Sequence, residues 1–379
     1  GDILFVMVSY LPVPAMIGEM KTKPTQYAAR SLNSAGIQPD IILARSTVPL
    51  DRVRKQKLSF ALNLREEDII SAPDIKSIYE VPVNFEKDKL GTIVLKKLRL
   101  KKKKTNLKDW RRFVSVIRKQ DKPRVRIGIV GKYFATGAFS LADSYISVIE
   151  ALKHATWFWK HEVDLVWLDA EQYEKNLRAL KELKKFDGIV VPGGFGKRGI
   201  EGKIKVIEFC RKEKIPYFGL CYGMQLMVVE FARHVAKMEG AHTEEIDPKS
   251  PYPVIHILPE QEVLINEKHY GGSMRLGLYD CKVLPNTIAS RAYKTDKIKE
   301  RHRHRYEVNN KLLPRLEKTG LIVSGINPNR KLVEITEIAN HPFFVGVQFH
   351  PEFLSRPLTP HPLFREFIKA AIKAKKTKK

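Results

Sequence analysis

The chain has 379 residues, enough for two domains, and its apolar content of 43% is ordinary for a soluble α/β protein. No apolar run reaches membrane-spanning length, and Pro12 and Pro14 interrupt the amino-terminal apolar stretch, so neither a membrane protein nor a signal peptide is indicated and we expect a cytoplasmic protein. Much of the formal charge of +26 comes from lysine-rich runs at 96–104 and 369–379, without a zinc module or an aromatic-rich RNA motif, so nucleic acid is not the expected main partner.

The first hundred residues predict short strands separated by a polar loop and a helix. Asp2 to Tyr10 and Pro39 to Arg45 are apolar and β-prone, and Thr25 to Ala35 is helical in character. The loop segment KTKPTQ, residues 21–26, places ammonium groups and hydrogen-bond donors before a helix start, which suits phosphate binding. Taken alone, this pattern is a weak indication. Lys57 in QKLSFALNL is equally typical of a surface lysine on a helix.

A basic stretch then divides the chain. Residues 101–122 are dense in lysine and arginine around an amphipathic stretch at 110–117, and Pro123 follows, which is typical of an interdomain linker. Beyond it, predicted strands and helices alternate, at residues 124–131, 141–154, 163–168 and 177–183. This alternation predicts the α/β class with an open, mostly parallel sheet flanked by helices on both faces.

The next strand, at the start of FDGIVVPGGFG (residues 186–196), ends in glycines. Consecutive glycines allow bare backbone N–H groups to point at a developing oxyanion, which is usually a large contribution to acyl transfer. A Gly-Gly pair is also typical of a flexible turn, and these residues alone leave both interpretations open.

A single cysteine lies between two glycines in IPYFGLCYGMQ (residues 215–225). Ile215 to Leu220 is a short β-prone run and residues 224–238 have helical periodicity, so Cys221 is predicted at a sharp strand-to-helix turn, a nucleophile elbow. There the thiol would be exposed at the carboxyl end of a sheet and would face the positive end of a helix, which favours thiolate. The alternative is a buried core cysteine. Cys210 and Cys281 are predicted to be packing residues, and the sparse cysteines indicate reduced thiols without structural zinc.

The segment FFVGVQFHPE (residues 343–352) is an apolar strand that ends at His350, with Glu352 two residues later. A histidine at a strand end can take a proton from a thiol while a carboxylate orients its ring. Alone, His350 would be read as an ordinary loop histidine. Because open α/β sheets place their sites at the carboxyl ends of strands, the coincidence of three such segments favours a Cys-His-Glu acyl-transfer site.

Two further segments carry charge. Residues 241–246, AHTEEI, supply carboxylates, and residues 300–306, ERHRHRY, supply a cluster of bases. From the residues alone, RHRHR is consistent with a phosphate or nucleic-acid patch and equally with a solvated strand edge.

Several of these motifs carry a family resemblance. PGGFGKRG, GLCYGMQ and FHPE, in this order, resemble the class I glutamine amidotransferases, which hydrolyse glutamine to ammonia through a cysteine thioester. GEMKTKPTQ, GIQPDIILARS, VGKY, SVIEALKH, GGSMRLG and ERHRHRYEVNN resemble the CTP synthase family more narrowly. The resemblance runs from about residue 3 to about residue 370.

The resemblance implies roles for individual residues. Cys221 would attack the glutamine amide, His350 would move the proton, Glu352 would orient His350, and the backbone at Gly194 and Tyr222 would form the oxyanion hole. Tyr222 stands where the family often has leucine, a change that leaves the backbone N–H in place. The implied glutamine-binding residues are Gly194, Tyr222, Gly223, Met224, Gln225, Glu245 and Arg305, of which Glu245 would pair with the α-ammonium and Arg305 with the α-carboxylate.

The resemblance also implies nucleotide sites. UTP and the product CTP would contact Lys21, Thr22, Lys23, Pro24, Thr25, Gln26 and Lys57, and the adenine of ATP would lie near Ile75. Residues 271–277, which include Ser273 in place of a usual threonine, match a mobile loop associated with the allosteric activator GTP. Mg²⁺ and ATP are implied for the full enzyme, but we expect no metal ligands in this chain.

The implied organisation has four parts: the carboxyl-terminal part of a P-loop-type synthetase domain at 1–104, a basic linker at 105–122, a glutamine amidotransferase domain at 123–372 and a basic tail at 373–379. The sequence contains no G-x-x-x-x-G-K-[ST] motif. We therefore expect a chain that lacks the front half of its synthetase domain, and that hydrolyses glutamine but does not form CTP by itself.

The function implied is that of a C–N ligase: ATP phosphorylates the 4-oxygen of UTP, and ammonia from glutamine displaces the phosphate, within a homotetramer. One alternative is a glutaminase subunit that feeds another synthetase, which KTKPTQ and Lys57 disfavour because such a subunit has no use for a UTP site. Another is a non-catalytic scaffold or basic RNA-binding protein, for which Cys221, His350 and Glu352 would be coincidental.

Overall fold

The computed structural model describes residues 3–101, 106–131, 145–194, 196–257 and 274–377. The chain divides into two compact units, residues 1–119 and residues 120–379. Within the described ranges, no helix is both long enough and apolar enough to cross a membrane.

The first unit is built on a small parallel sheet with the order β1-β2-β3. Its strands are β1 (Val6–Tyr10), β2 (Ile41–Ser46) and β3 (Ile69–Pro73). Its helices are α1 (Lys23–Ser34), α2 (Arg52–Leu62), α3 (Val81–Lys87), α4 (Leu90–Lys97) and α5 (Lys108–Arg118), with short 3₁₀ turns at Glu66–Asp68 and Ile78–Glu80. Local chemistry sets the helix starts: Pro24 occupies the first turn of α1, and the Asp51 side chain accepts a hydrogen bond from the Arg54 backbone N–H, 2.8 Å away, at the start of α2.

The predicted linker contains a packed helix. Helix α5 turns Trp110 and Phe113 toward Tyr79: the Trp110 indole N–H donates to the Tyr79 carbonyl at 2.8 Å, and the Phe113 ring meets the Tyr79 ring edge-on at 5.4 Å. Arg118 pairs with the buried Glu80. The amphipathic stretch of this basic region therefore belongs to the first unit, because its apolar face is covered there.

The second unit contains a nine-stranded sheet in the part of the chain that the structure describes, with the order β11-β10-β13-β14-β15-β7-β6-β4-β5. Its strands are β4 (Arg124–Gly131), β5 (Glu162–Asp169), β6 (Gly188–Val191), β7 (Tyr217–Leu220), β10 (Arg275–Val283), β11 (Lys297–His304), β13 (Leu321–Ile326), β14 (Val333–Ile338) and β15 (Phe344–Val347). A small second sheet joins β8 (His242–Thr243), β9 (Pro253–Ile257) and β12 (Tyr306–Val308).

The large sheet has two halves of different character. From β15 through β7, β6 and β4 to β5 the neighbours are parallel. From β15 through β14, β13 and β10 to β11 they are antiparallel. The predicted α/β class with an open, helix-flanked sheet is confirmed, and the parallel half carries the glycine and cysteine segments. The antiparallel half did not follow from the alternation of elements, because its hairpin connections contain little helix.

Helices cover both faces of this sheet. They are α6 (Ile146–Phe158), α7 (Ala170–Lys175), α8 (Ile200–Lys212), α9 (Tyr222–His234), α10 (Ile288–Tyr293), α11 (Leu313–Lys318) and α12 (Pro362–Thr377), with 3₁₀ turns at Leu177–Lys185 and Pro351–Leu354. One apolar cluster packs α8 and α9 on one face, and another packs α6 and α12 on the other. Cys210 and Cys281 lie in these clusters, and the basic tail predicted from residue 373 continues helix α12 to Thr377.

Candidate active site

Cys221 lies at the tight turn between β7 and α9. Its backbone has φ 50° and ψ −101°, a conformation that is costly for a residue with a side chain. The flanking glycines have no room for a Cβ atom: at Gly223 it would lie 2.1 Å from the Val191 carbonyl oxygen, and at Gly219 it would lie 2.7 Å from the Gly223 backbone. The close approach of α9 to β6 and β7 therefore requires both glycines and fixes the strained elbow that the sequence predicts.

The thiol is less accessible than the sequence suggested. We expected Cys221 to be exposed, but only 4% of it is accessible. Its Sγ lies 4.0 Å from the Arg303 carbonyl oxygen and 3.8 Å from the Gln348 side-chain nitrogen. The expectation failed because β11 and the end of β15 cover the carboxyl edge of the sheet, and this long-range packing leaves no local signal in the sequence.

His350 follows β15 and lies between Cys221 and Glu352. Its Nδ1 is 2.7 Å from Glu352 Oε1, and its backbone N–H donates to the Arg301 carbonyl at 2.8 Å. Burial alone would lower the pKa of His350, but the thiolate charge of Cys221 and hydrogen bonds to Cys221 and Glu352 raise that pKa to about 10. At neutral pH this arrangement favours a protonated His350 ring beside the Cys221 sulfur, held in place by the Glu352 carboxylate.

The glycine pair at the end of β6 borders the same space. A Cβ atom on Gly193 would lie 3.0 Å from the His350 ring and 3.6 Å from the Cys221 Cβ, so the bare backbone is required there. Gly194 faces open space, because a Cβ atom added to it would meet nothing within 4 Å. Gly194 directly follows Gly193, and Tyr222 directly follows Cys221, so the oxyanion role of their backbone N–H groups stays a prediction.

Glu245 and Arg305 lie near this elbow. Glu245 Oε1 is 3.5 Å from the Gly196 backbone nitrogen, and Arg305 follows the last residue of β11. Burial and, to a lesser degree, the charge of Glu245 raise the pKa of both Tyr222 and Tyr306, while Arg305 opposes the shift at Tyr306. Glu245 therefore lies close enough to both tyrosines, and Arg305 to Tyr306, for their charges to act on the hydroxyl groups, while their contacts with glutamine stay a prediction.

Two of the predicted glutamine-binding side chains have partners within the protein. Met224 is fully buried and packs against Gly346 of β15. Gln225 donates to the Tyr306 carbonyl at 2.8 Å and to the side-chain oxygen of Gln348 at 3.3 Å. Glutamine binding by these two residues at the start of α9 stays a prediction. Gly223 has no side chain to contribute.

The sequence analysis missed Gln348 and the backbone of β11. Gln348 links Cys221 to Gln225, and the carbonyls of Arg301 and Arg303 touch His350 and Cys221 respectively. The position of Gln348 two residues before His350, on the same side of a strand, was an available signal.

The first four residues of the RHRHR segment form the second half of β11, and their side chains alternate. Arg301 and Arg303 are exposed, whereas His302 and His304 are buried. Neither a basic patch nor a solvated edge describes it fully, because one face is in solvent and the other is in the protein interior.

We predicted a mobile loop at residues 271–277, and this prediction is wrong for Arg275. This residue begins β10, is 2% exposed, and pairs with Glu334 and Glu307. Its pairing with β11 and its buried carboxylate partners hold it in the sheet. Gly271 and Ser273 lie outside the described residues.

In the first unit, the KTKPTQ segment spans the start of α1. Lys21 is half-buried, and its backbone N–H donates to the Pro12 carbonyl just beyond β1, while Lys23 and Pro24 are exposed. The other three members are buried and hydrogen-bonded: Thr25 to Ser9 at 2.8 Å, and Gln26 to Thr22 at 3.2 Å. The two lysines therefore face outward from a segment that its own polar side chains anchor.

The other two predicted nucleotide residues lie on different elements. Lys57 is exposed in the middle of α2, and Ile75 follows the end of β3. The Asp74 backbone N–H donates to the Ser46 carbonyl, so Ile75 and Lys21 both lie beyond the carboxyl edge of the small parallel sheet. Open α/β sheets place ligands at that edge.

The cysteine elbow, the His-Glu pair and the parallel strands behind them define a class of protein. Residues 140–370 match the family described as Glutamine amidotransferase class-I, and residues 1–100 match the family described as CTP synthase N-terminus. The chain is similar to the solved structure of the glutaminase domain of Trypanosoma brucei CTPS with bound acivicin. The similarity covers 66% of this chain and 94% of that domain, with 37% sequence identity and a TM-score of 0.60.

Curated relatives narrow the assignment. The CTP synthase of Caldanaerobacter subterraneus is 48% identical over 375 residues, which are 99% of this chain and 68% of the relative. The CTP synthase of Pelotomaculum thermopropionicum is 48% identical over 379 residues, which are 100% of this chain and 68% of the relative. The chain belongs to the CTP synthase family and carries its glutamine amidotransferase domain, which implies a glutamine-dependent ligase.

Proposed function

We propose that Cys221, His350 and Glu352 hydrolyse glutamine, and that the ammonia serves the ATP-dependent amination of UTP to CTP. The observation that carries the first half is His350, which lies 2.7 Å from Glu352 and hydrogen-bonds Cys221, with a pKa raised to about 10 against the effect of its own burial. A histidine placed in this way can accept the proton of the thiol and hold the proton that the leaving ammonia needs.

The acyl transfer then follows from these groups. The Cys221 thiolate attacks the amide carbon, and the backbone N–H groups at Gly194 and Tyr222 stabilise the oxyanion. His350 gives its proton to the departing nitrogen, the C–N bond breaks, and a thioester remains on Cys221. His350 next takes a proton from water, whose oxygen attacks the thioester carbon. Glutamate leaves, and the thiolate–imidazolium pair is restored.

Glutamine is held by groups of opposite charge. Arg305 pairs with its α-carboxylate and Glu245 with its α-ammonium, since each offers the complementary charge near the elbow. The backbone of Gly223, Met224 and Gln225 borders the side-chain amide. In this proposal Met224 and Gln225 act by holding α9 against β15 and β12 and do not contact glutamine through their side chains.

The nucleotide half is proposed for the first unit. Lys21 and Lys23, at the positive end of the 12-residue helix α1, bind the phosphates of UTP or of the product CTP, and Lys57 adds a further cation. Thr22, Thr25 and Gln26 anchor this segment, Pro24 shapes its first turn, and Ile75 contacts the adenine of ATP. ATP phosphorylates the 4-oxygen of UTP, and ammonia displaces that phosphate. Assembly as a homotetramer and activation by GTP stay predictions.

Mg²⁺ is expected in the family, but the described residues do not fit it. Within them, the group with metal-ligand spacing is Glu208, Glu230 and His234, and Glu230 is already paired with Arg211 through contacts of 2.7–3.2 Å. The Arg211 guanidinium already supplies the positive charge next to Glu230, so this group does not fit Mg²⁺.

A rapid-quench experiment tests the acyl transfer. The chain is mixed with radiolabelled glutamine, quenched in acid and digested, and the label is located by mass spectrometry. We expect a glutamyl thioester on the peptide that contains Cys221. Continued hydrolysis with the label on another residue, or with no labelled peptide, would contradict the proposal.

A further inference from the structure

Behind the catalytic groups lies a cluster of five buried side chains, which we call the β11 network: Arg275, His302, His304, Glu307 and Glu334. Arg275 lies 2.7 Å from Glu334 and 3.4 Å from Glu307, and the three side chains are at most 1% exposed. His302 Nδ1 lies 2.8 Å from His304 Nε2. Each histidine also lies beside one carboxylate: His302 Nε2 is 3.4 Å from Glu334 Oε2, and His304 Nδ1 is 3.7 Å from Glu307 Oε1. The network thus closes a path from one carboxylate through two histidines to the other.

The strand that carries the two histidines also contacts both reacting side chains. Its backbone carbonyls at Arg301 and Arg303 lie against His350 and Cys221, at 2.8 and 4.0 Å. Because side chains alternate along a strand, His302 and His304 point to the interior while these carbonyls border the thiol and the imidazole. Any shift of β11 would therefore move the backbone that borders Cys221 and His350, and would also move Arg305, the residue that follows the strand.

We propose that Arg275 is a positioning residue for the catalytic site, acting through Glu334, Glu307 and the two buried histidines to hold β11 against Cys221 and His350. The inference concerns the same site as the proposed glutaminase function, and its acyl-transfer meaning rests on that function. Arg275 makes no contact with the reacting atoms in this role.

Charge explains why arginine is needed at this position. Burial raises the pKa of Glu307 to about 8 and that of Glu334 to about 7, and in each case Arg275 opposes the rise. With Arg275 in place, the pair therefore keeps part of its negative charge near pH 7, mainly on Glu334. Without the guanidinium, this remaining charge would be lost to protonation, and the contacts of the carboxyl groups with the histidines and with the strand would weaken.

The histidines must also stay neutral. Burial lowers the pKa of His304 to about 3 and lowers that of His302 further, and the charges of Arg275 and His350 act in the same direction. Among the described residues, the titratable groups that interact electrostatically with His350 include Cys221, Glu352, His302 and His304. A guanidinium behind neutral imidazoles leaves His350 as the protonated ring beside the thiol.

The test uses the rate at which iodoacetamide alkylates Cys221 as a function of pH, followed on the Cys221 peptide by mass spectrometry. This readout reports the thiolate–imidazolium pair and needs neither glutamine nor turnover. Burial raises the pKa of Cys210 and of Cys281, so these thiols react slowly.

Arg275→Met should lower the alkylation rate at pH 7 by about tenfold and move the profile to higher pH, because a small displacement at a catalytic site has effects of this size. Arg275→Lys should restore part of the rate. The matched control is Arg211→Met, which removes a guanidinium from another fully buried carboxylate, Glu230, on helices α8 and α9 away from β11. It should lower the melting temperature similarly and leave the alkylation profile unchanged.

A wild-type profile in Arg275→Met, or the same shift in Arg211→Met, would overturn the proposal. If Arg275→Met fails to fold, the triple variant Arg275→Met, Glu307→Leu, Glu334→Met removes the charges together and avoids an unpaired buried charge. It should show the same loss of alkylation, and a wild-type profile would again overturn the inference. A wild-type chain with rapid Cys221 alkylation but no glutamine hydrolysis would contradict the proposed function and leave the positioning role standing.

Discussion

The two units hold their polar groups in different ways. In the second unit, the acid–base groups lie between strands and are almost fully buried, with Glu334 and Glu307 at 0% exposure. In the first unit, Lys23 and Lys57 are exposed, and the ion pair of Arg45 with Asp74 leaves about half of each side chain in solvent. Buried groups have defined partners and positions, whereas exposed lysines can adjust to a flexible polyanion. This difference fits our proposal, in which glutamine is hydrolysed in the second unit and nucleotide phosphates bind to the first.

The largest expected effect is the loss of glutamine hydrolysis when the reacting thiol of the second unit is removed. Cys221→Ala should lower glutamine hydrolysis by at least about 10⁴-fold, because no other group can form the thioester. The fold should persist, since only one sulfur atom is lost. Ammonia release and thermal unfolding measure the two effects. Cys281→Ser is the control: it should lower stability more than rate, because a hydroxyl replaces a buried thiol. Hydrolysis retained in Cys221→Ala would refute the Cys-His-Glu assignment.

The next largest effect is expected from removing one charge near the elbow of the second unit, which tests whether that unit binds glutamine. Arg305→Ala should cost about 2–5 kcal/mol in apparent transition-state binding of glutamine, as expected when one partner of a buried charge pair is truncated. Lysine should rescue it only partly, because it lacks the planar fork of arginine. Steady-state kinetics with glutamine measure the loss. Arg303→Ala, which removes an exposed side chain on β11 two residues before Arg305, serves as the control. An unchanged KM and kcat in Arg305→Ala would show that this residue serves another ligand.

A smaller effect is expected in the first unit. Lys21→Ala should weaken UTP binding by about tenfold, the loss of one charge-assisted contact in partial solvent, and should leave glutamine hydrolysis unchanged. Equilibrium binding of UTP and ammonia release separate the two activities. Arg30→Ala, an exposed cation farther along α1, is the matched control. Equal losses in both variants would indicate general electrostatic attraction instead of a site.

The smallest effect concerns stability and pH. The pKa of Glu307, raised to about 8 mainly by burial, exceeds its ordinary value near 4.5, so the folded state holds this proton more tightly than the unfolded state. The stabilising contribution is complete below about pH 4.5 and is lost as the pH rises through 8. Glu307→Gln, which mimics the protonated form, should therefore gain stability relative to wild type between pH 5 and pH 9.

Melting curves across this range measure the difference. Arg45→Ala, which removes an exposed ion pair of the first unit, should cost less than about 1 kcal/mol with little dependence on pH in the same interval. A parallel pH dependence in wild type and Glu307→Gln would mean that Glu307 is ionised in the folded protein throughout.

Sequence alone determined the elements that depend on local chemistry. The Gly-Leu-Cys-Tyr-Gly pattern predicted the elbow, since only glycine fits beside so sharp a turn, and the alternation of strands and helices predicted the α/β class. The boundaries of β4 at 124–131 agree with the pattern because a buried parallel strand is apolar along its whole length. The motifs were also enough to predict the family, and the matching family descriptions and the related CTP synthases confirm this prediction.

Only the tertiary structure decided which groups meet. The burial of Cys221, the role of Gln348 and the enclosure of Arg275 all depend on β10, β11 and β15 coming together in one sheet, although these strands are spread between residues 275 and 347 of the chain. The RHRHR segment shows the reason: its composition is the same whether its histidines face solvent or the interior. The alternation of the strand and the carboxylates supplied by distant residues determine which face is buried.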